Sequence, residues 1–162
     1  MASGDLLAFW GAQENEAPIS GSGFVSFDRR NGQPVLRFGA RAPRTAMFSR
    51  ILPGGYAGGG LTLQLIWAAS VATLGDVVWG GAIERRNADI DVDGFAGQQT
   101  ATGTANATSG ILTTTSITFG AAAMDGLQPN EPFRLQLQRL AGVGADTMLG
   151  DAELVSAALI ET

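Results

Sequence analysis

Two stretches of alternating apolar and polar residues lie between Leu61 and Arg86. The first ends near Trp67, the second is centred on Trp79, and Gly75-Asp76 lies in the break between them. Alternation with a period of two is typical of strands that bury one face. Because glycine and aspartate tolerate turn conformations, the pattern predicts that the two strands pair as an antiparallel hairpin. The two tryptophans would be its main buried aromatic side chains.

The rest of the chain contains further short stretches with strand character. Asn31-Gly32 is the strongest hairpin signal, because both residues accept the positive φ angles of a two-residue turn. Only the segment 121–132 leaves room for a helical turn. The other predicted strands lie at 24–27, 35–38, 46–52, 98–105, 113–119, 133–138 and 152–160.

Short strands at intervals of roughly 8 to 12 residues, with turn residues between them, predict an all-β domain with two packed sheets. Among such folds we expect the jelly-roll topology, and a simple up-and-down barrel is the alternative. Residues 1–22 combine a short apolar patch with a polar run, and we interpret them as an extended N-terminal arm. Residues 23–162 are then a single β-sandwich domain.

The apolar content is high for so few charges. Apolar residues make up 45% of the chain and charged residues 15%, where about 25% charged is usual. The predicted strand 152–160 is apolar on both faces, with Val155, Ala157 and Leu159 on one of them. A strand of this kind must be covered on both sides, so we expect the chain to form a homo-oligomer.

Three residue types that carry much of protein chemistry are absent. The chain contains no histidine, cysteine or lysine. Disulfides, thiolate catalysis, Cys/His zinc sites, Schiff bases and histidine proton shuttles are therefore excluded. We predict no catalytic residue and no cofactor. No apolar run reaches the roughly 18 residues of a membrane span, and Asp5 stands where a signal peptide would carry positive charge, so we expect a product made in the cytoplasm.

Acidic clusters offer two candidate chemistries, and neither is complete. Asp89 to Gly94 matches the first half of a calcium loop, but its twelfth position is Thr100 where a bidentate glutamate belongs. We interpret it as a solvated turn and predict no metal site. The carboxylate pairs Asp125 with Glu131 and Asp151 with Glu153 would suit glycoside hydrolysis only if their spacing were right, and a chain with fifteen acids offers many such pairs.

Arginine is distributed unevenly. Six of the ten basic residues fall within 29–50, a window without an acid, although the net charge of the chain is −5. Arginines near the aromatic rings of Phe38 and Phe48 would suit the binding of single-stranded nucleic acid, because its bases stack on such rings in a basic groove. The acidic balance argues against it, and we favour a basic surface that docks on an acidic protein. The candidate partner-binding residues are Leu6, Phe9, Trp10, Arg37, Arg41, Arg44 and Arg50.

The last hundred residues or so resemble small β-rich structural proteins of tailed bacteriophages. The resemblance rests on short segments: 75–79 with 83–85, 102–110, Phe133-Arg134-Leu135, 146–148 and 150–154. It implies a virion component on the capsid surface, a capsid decoration (cement) protein that binds the major capsid protein as a homotrimer and has no catalytic residues. The alternatives are a phage fibre or tail module and a carbohydrate-binding or receptor-binding β module. A glycoside hydrolase is less favoured.

Overall fold

The computed structural model describes residues 3–16, 23–71, 73–86 and 88–162, and most of them are in β-strands. Two short 3₁₀ turns lie at Ala12–Glu14 and Ala121–Ala123. Among the described residues, no helix has the length and apolar character that crossing a bilayer would require. The strands are β1 (Leu6–Gly11), β2 (Ser26–Arg30), β3 (Gln33–Phe38), β4 (Arg44–Ile51), β5 (Leu61–Ala69), β6 (Asp76–Arg85), β7 (Gln99–Thr104), β8 (Thr113–Phe119), β9 (Pro132–Arg139) and β10 (Ala152–Glu161).

The strands form two sheets, and every pairing between named strands is antiparallel. Sheet A has six strands in the order β2-β3-β10-β5-β8, with β1 also paired to β10. Sheet B has four strands in the order β4-β9-β6-β7. The all-β, two-sheet sandwich predicted from the sequence is therefore confirmed.

Aromatic side chains fill the space between the sheets. Trp67 of sheet A and Trp79 of sheet B are fully buried, and their rings meet across the sandwich with centroids 5.7 Å apart. Phe38 lies edge-on against Trp79 at 4.9 Å. The Trp67 indole N–H donates to the Thr115 hydroxyl at 3.0 Å, so its polar atom is satisfied inside the core. Burial of both tryptophans agrees with the sequence prediction.

The predicted hairpin between Leu61 and Arg86 is wrong, because its two strands lie in different sheets. Strand β5 pairs with β10 along one edge and with β8 along the other, which leaves no edge free for β6. The segment after Ala69 therefore crosses from one sheet to the other. Gly75 has a φ of +136°, and a Cβ atom there would lie 2.7 Å from the Met148 backbone. Alternation predicted which residues point inward, but it does not specify the partner strand.

The hairpin predicted at Asn31-Gly32 is confirmed. Strands β2 and β3 pair in register up to Arg30 and Gln33, so the loop between them has two residues. The φ angles of Asn31 and Gly32 are 48° and 76°, as a type I′ turn requires at both positions. Here the turn residues determine the partner strand directly.

Part of the predicted N-terminal arm is a strand of the sandwich. Strand β1 pairs with β10, and Trp10 is fully buried against Phe48 and Phe133. The Trp10 indole N–H donates to the carbonyl oxygen of Ser49 at 3.2 Å. An arm is therefore the wrong description of residues 6–11, because their side chains complete the core. Residues 1–2 and 17–22 of the predicted arm lie outside the described residues.

Strand β10 lies inside sheet A, hydrogen-bonded to β5 along one edge and to β3 and β1 along the other. Its register shifts between Leu154 and Ser156, so Leu154 faces the core with Ala157 and Leu159, and not with the opposite set as the alternation predicted. Its core face is therefore covered within a single chain, whereas Val155, Ala158 and Ile160 on the other face are half-buried. The homotrimer stays a prediction that rests on other grounds.

Candidate functional site

The predicted apolar contacts of the N-terminal segment divide into two kinds. Leu6 and Phe9 are exposed on β1, with 59% and 52% of their surface accessible. Trp10 points the other way into the core and is not available to a partner. The Phe9 carbonyl accepts a hydrogen bond of 3.0 Å from Arg50, whose guanidinium also pairs with Glu14. Arg50 therefore covers part of the β1 edge.

The pair between Arg50 and Glu14 gives this edge a small pH dependence. The hydrogen bond from Arg50 lowers the pKa of Glu14 below its ordinary value of 4.5. A lowered pKa in the folded state stabilises the fold above the unfolded value, and that contribution is lost as the pH falls through the lowered pKa. Both groups are more than one third exposed, so the contribution is small.

The arginine-rich window does not form an uninterrupted basic surface. Arg37 binds Asp28 at 3.1 Å and Asp151 at 2.7 Å, and the hydrogen bond to Asp151 raises the pKa of Arg37. Arg41 and Arg44 have no ion pair within the described parts of the chain. Of the acids that neutralise the window, Asp28 lies directly before it, whereas Glu14, Asp151 and Glu153 come from other segments, which the linear sequence does not reveal.

The acidic turn at 89–93 does not gather its carboxylates around one point. Asp89 accepts a hydrogen bond from the backbone N–H of Asp91 at 3.0 Å, as in a local turn. Asp93 instead binds the guanidinium of Arg134 at 2.8 Å. Within the described ranges, no three acidic side chains are placed to hold a metal ion. The turn belongs to a larger polar site that is built around Arg134.

Arg134 is the centre of this site. Besides Asp93, its guanidinium binds Glu16 at 3.2 Å and Glu84 at 3.4 Å, and its charged carbon lies 5.7 Å from the centre of the Phe95 ring. Burial lowers the pKa of Arg134, but hydrogen bonds to Glu16 and Asp93 outweigh it and raise the pKa above its ordinary value. Arg134 stays charged at any physiological pH and fixes the three carboxylates.

The positions of these side chains follow from the strand pattern. In β9, Phe133, Leu135 and Leu137 are buried in the core, so Arg134 and the residues at its spacing of two point outward. Ser49 of β4 and Glu84 of β6 are the direct partners of Arg134 in the neighbouring strands. We call these three residues the arginine row. The ladder with β6 places Glu84 beside Arg134, whereas Glu16 and Asp93 reach Arg134 from segments outside the strands.

A groove lies over the arginine row. Its volume is about 460 Å³, and we call it the Arg134 groove. Glu84 is buried at its base, where its second oxygen accepts the backbone N–H of Gly94, and Arg86 is exposed at its rim. The lining residues are Glu16, Glu84, Arg86, Ala88, Asp89, Ile90, Val92, Asp93 and Arg134. Fixed, charged hydrogen-bonding groups thus face an open cavity.

The outward face of sheet A carries another groove, of about 400 Å³. It lies between the β2–β3 turn and the loop before β8, and its walls include the exposed side chains of Ile111 and Leu112. At its base, Arg30 pairs with Glu153 and also binds the Ser109 hydroxyl at 2.6 Å. This groove is less polar than the Arg134 groove, and its ion pair fastens the loop to the sheet.

Sequence reasoning did not identify the Arg134 groove. The one available signal was the wet face of β9, where Arg134 alternates with buried residues and is followed by Gln136 and Gln138. The carboxylate pairs considered for hydrolysis lie outside this groove. Three of the four carboxylates form ion pairs with arginines: Asp151 with Arg37, Glu153 with Arg30 and Glu131 with Arg85. The fourth, Asp125, accepts a hydrogen bond from the backbone N–H of Arg85.

No protein-family model and no curated protein sequence matches the chain. Solved structures do match it. One is the CBM22-1 xylan-binding domain of Xyn10C from Paenibacillus barcinonensis, with a TM-score of 0.52 and 16% identity over 99% of this chain and 96% of that domain. At this identity the likeness shows the fold: the chain is a β-sandwich of the jelly-roll type.

Proposed function

We propose that the chain is a non-catalytic β-sandwich module that binds a carbohydrate on the outward face of sheet B, in the Arg134 groove. One observation carries the proposal: Arg134 holds Glu16, Glu84 and Asp93 in fixed positions around an open cavity. Sugar hydroxyls both donate and accept hydrogen bonds, and bonds to charged groups are the stronger ones. Groups that are already fixed lose little freedom on binding.

Two further points support this function over a catalytic one. One solved structure that matches over nearly the full length is a domain whose name describes xylan binding. Glycoside hydrolysis requires two carboxyl groups that face each other across the scissile bond, one of them as an acid. Here Glu16, Glu84 and Asp93 all bind the same guanidinium, which suits a binding surface better.

The charge of the groove favours uncharged sugars. Four carboxylates and two guanidinium groups line it, and Arg134 is already engaged by three of the carboxylates. Only Arg86 remains to meet an anion. An acidic polysaccharide would be repelled by the excess of negative charge, so a neutral chain such as unsubstituted xylan, mannan or β-glucan is the expected class.

Affinity electrophoresis through gels that contain xylan, mannan, β-glucan or polygalacturonate tests this function. We expect at least one neutral polysaccharide to retard the protein. Arg86→Ala should reduce the retardation, because the side chain lines the groove from an exposed position. Arg134→Ala should abolish it, because the carboxylates lose their common partner.

Arg85→Ala is the matched control, since it removes the same charge from the next residue along the chain but breaks only the surface pair with Glu131. It should leave binding unchanged. If no neutral polysaccharide retards the parent protein, or if Arg85→Ala weakens binding as much as Arg86→Ala and Arg134→Ala do, the proposed function or its location is wrong.

Capsid decoration remains a second proposal. It rests on the sequence resemblance and on the exposed apolar side chains of Leu6 and Phe9 on β1. It predicts a homotrimer, which light scattering at micromolar concentration would detect as three times the mass of one chain. It also predicts that Leu6→Ser with Phe9→Ser separates the subunits without unfolding them. A monomeric parent protein would contradict this proposal and leave the carbohydrate-binding one intact.

A further inference from the structure

Three rows of side chains cross the outward face of sheet B, and the Arg134 groove covers only the first. Strand β9 contributes Arg134, Gln136 and Gln138 in turn, two residues apart on the same face. The middle row is formed by Gln136 with its partners Met47 and Ala82. The third contains Gln138 with its partners Thr45 and Gly80, together with Gln98, and we call it the glutamine row.

The glutamine row is a continuous chain of hydrogen bonds across the sheet. The amide nitrogen of Gln98 donates to the amide oxygen of Gln138 at 2.8 Å, and the amide nitrogen of Gln138 donates to the Thr45 hydroxyl at 2.8 Å. Hydrogen bonds in such a chain polarise one another. A hydroxyl hydrogen on Thr45 and a second hydrogen on each amide nitrogen remain available to a ligand.

Gly80 allows Gln98 to lie flat on the sheet. A Cβ atom at this position would lie 2.6 Å from the amide carbon of Gln98, closer than such contacts ever come. Gly80 is buried, whereas Gln98 above it is exposed. The absence of a side chain at Gly80 thus lets the planar amide of Gln98 lie directly on the sheet with its outer side exposed to solvent.

The distance between the rows determines the length of the ligand. Arg134 and Gln138 are four residues apart in β9, which corresponds to about 13 Å at the rise of a β-strand. A single sugar in the Arg134 groove cannot contact the glutamine row. Between the two, Met47 and Ala82 are almost fully buried and Gln136 is half-buried, so Gln136 is the residue of the middle row that a ligand can reach.

We propose that the glutamine row is a second contact site for the same ligand, and that the ligand is an uncharged oligosaccharide or polysaccharide chain lying along β9. This inference rests on the proposed function. The row carries no charge, and its amide and hydroxyl groups match sugar hydroxyls in both donor and acceptor roles. A ligand that reaches both rows gains the contacts of the second row without a second loss of translational and rotational entropy.

Isothermal titration with sugars of different length tests the inference. The probes are xylohexaose, cellohexaose and mannohexaose, each with its disaccharide. For a hexasaccharide that the parent protein binds, Gln138→Ala should weaken binding about three- to tenfold, in line with one or two lost hydrogen bonds. The disaccharide of the same sugar, which fits within the Arg134 groove, should bind the variant and the parent equally.

Two further variants make the result decisive. Gly80→Ala should weaken hexasaccharide binding in the same way, because the new methyl group lifts Gln98 from the sheet, although the variant removes no polar group from the row. Gln128→Ala removes an exposed amide outside sheet B and should change nothing.

If Gln138→Ala and Gly80→Ala leave hexasaccharide binding unchanged while Arg134→Ala abolishes it, the glutamine row is not a contact site and the proposed function still holds. If Gln138→Ala weakens the binding of the hexasaccharide and of the disaccharide equally, the glutamine row affects binding only by altering the Arg134 groove, and the inference fails. If none of the six sugars binds the parent protein, the proposed function fails together with this inference.

Discussion

Trp10→Ala is expected to lower the free energy of unfolding by about 3 to 5 kcal/mol, the usual range for removing a large aromatic side chain from a core. Trp10 is fully buried, packs against Phe48 and Phe133 and donates its N–H to the Ser49 carbonyl. Its loss therefore leaves a cavity between the sheets and removes one of the two hydrogen bonds to the Ser49 carbonyl, the other coming from Arg50 at 3.4 Å. Urea denaturation followed by tryptophan fluorescence measures the change.

Phe9→Ala is the control for this prediction, because the two residues are neighbours in β1 but Phe9 is half exposed. We expect a loss of at most about 1 kcal/mol, as is common for surface positions. If residues 6–11 formed a loose arm, both substitutions would have small and similar effects. Equal effects of the two changes would thus contradict the placement of β1 in the sandwich.

Arg139→Leu is expected to destabilise the protein by a similar amount, about 3 to 5 kcal/mol, because it breaks a buried ion pair and leaves one charge unpaired. Arg139 is fully buried, and its guanidinium binds Asp146 at 2.7 Å. Its other donors bind the carbonyl oxygens of Phe38, Met148 and Gly150, so every N–H of the group has a partner. Arg139 thereby fastens the loop between β9 and β10 to the core.

The double variant Arg139→Leu with Asp146→Leu distinguishes the cost of an unpaired buried charge from the cost of altered packing. It should be less destabilised than Arg139→Leu alone, because no unpaired charge remains in the core. Arg85→Leu breaks the exposed pair with Glu131 and should cost no more than about 1 kcal/mol. Equal melting temperatures for Arg139→Leu and Arg85→Leu would contradict the structural role of Arg139.

The sequence predicted well the features that local chemistry determines. Alternation identified the buried faces around Trp67 and Trp79, and Asn31-Gly32 identified both a turn and the two strands that it joins. Prediction from the sequence failed where the rest of the fold determines which strand is the partner. The same alternating pattern serves a hairpin and a connection between sheets, so β5 and β6 could not be assigned to different sheets from their own residues.

Irregular strands were the other source of error. The pairing of β1 shifts between Leu6 and Ala8, so its buried residues, Leu7, Ala8 and Trp10, do not alternate. A shift of the same kind near Val155 exchanged the two faces of β10. A β-bulge of this sort interrupts the period of two and leaves no mark in composition.

The candidate site was hidden for a related reason. The outward position of Arg134 is visible in the alternation of β9, but its partners Glu16, Glu84 and Asp93 lie 118, 50 and 41 residues away in the chain. The order of strands in sheet B places Glu84 beside Arg134, and the fold brings Glu16 and Asp93 to it from segments outside the strands. The same holds for Gln98 and Gln138, which meet across Gly80.

Mapping the bound ligand by amide chemical shifts tests the central claim most directly. In a titration of the ¹⁵N-labelled protein with xylohexaose, cellohexaose and mannohexaose in turn, at least one sugar should perturb amides of the outward face of sheet B. The changes should extend from Glu84 and Arg134 to Gln98 and Gln138, and Ile111 and Leu112 in the groove of sheet A should not respond. Perturbations confined to sheet A, or none with any of the three sugars, would contradict carbohydrate binding at the Arg134 groove.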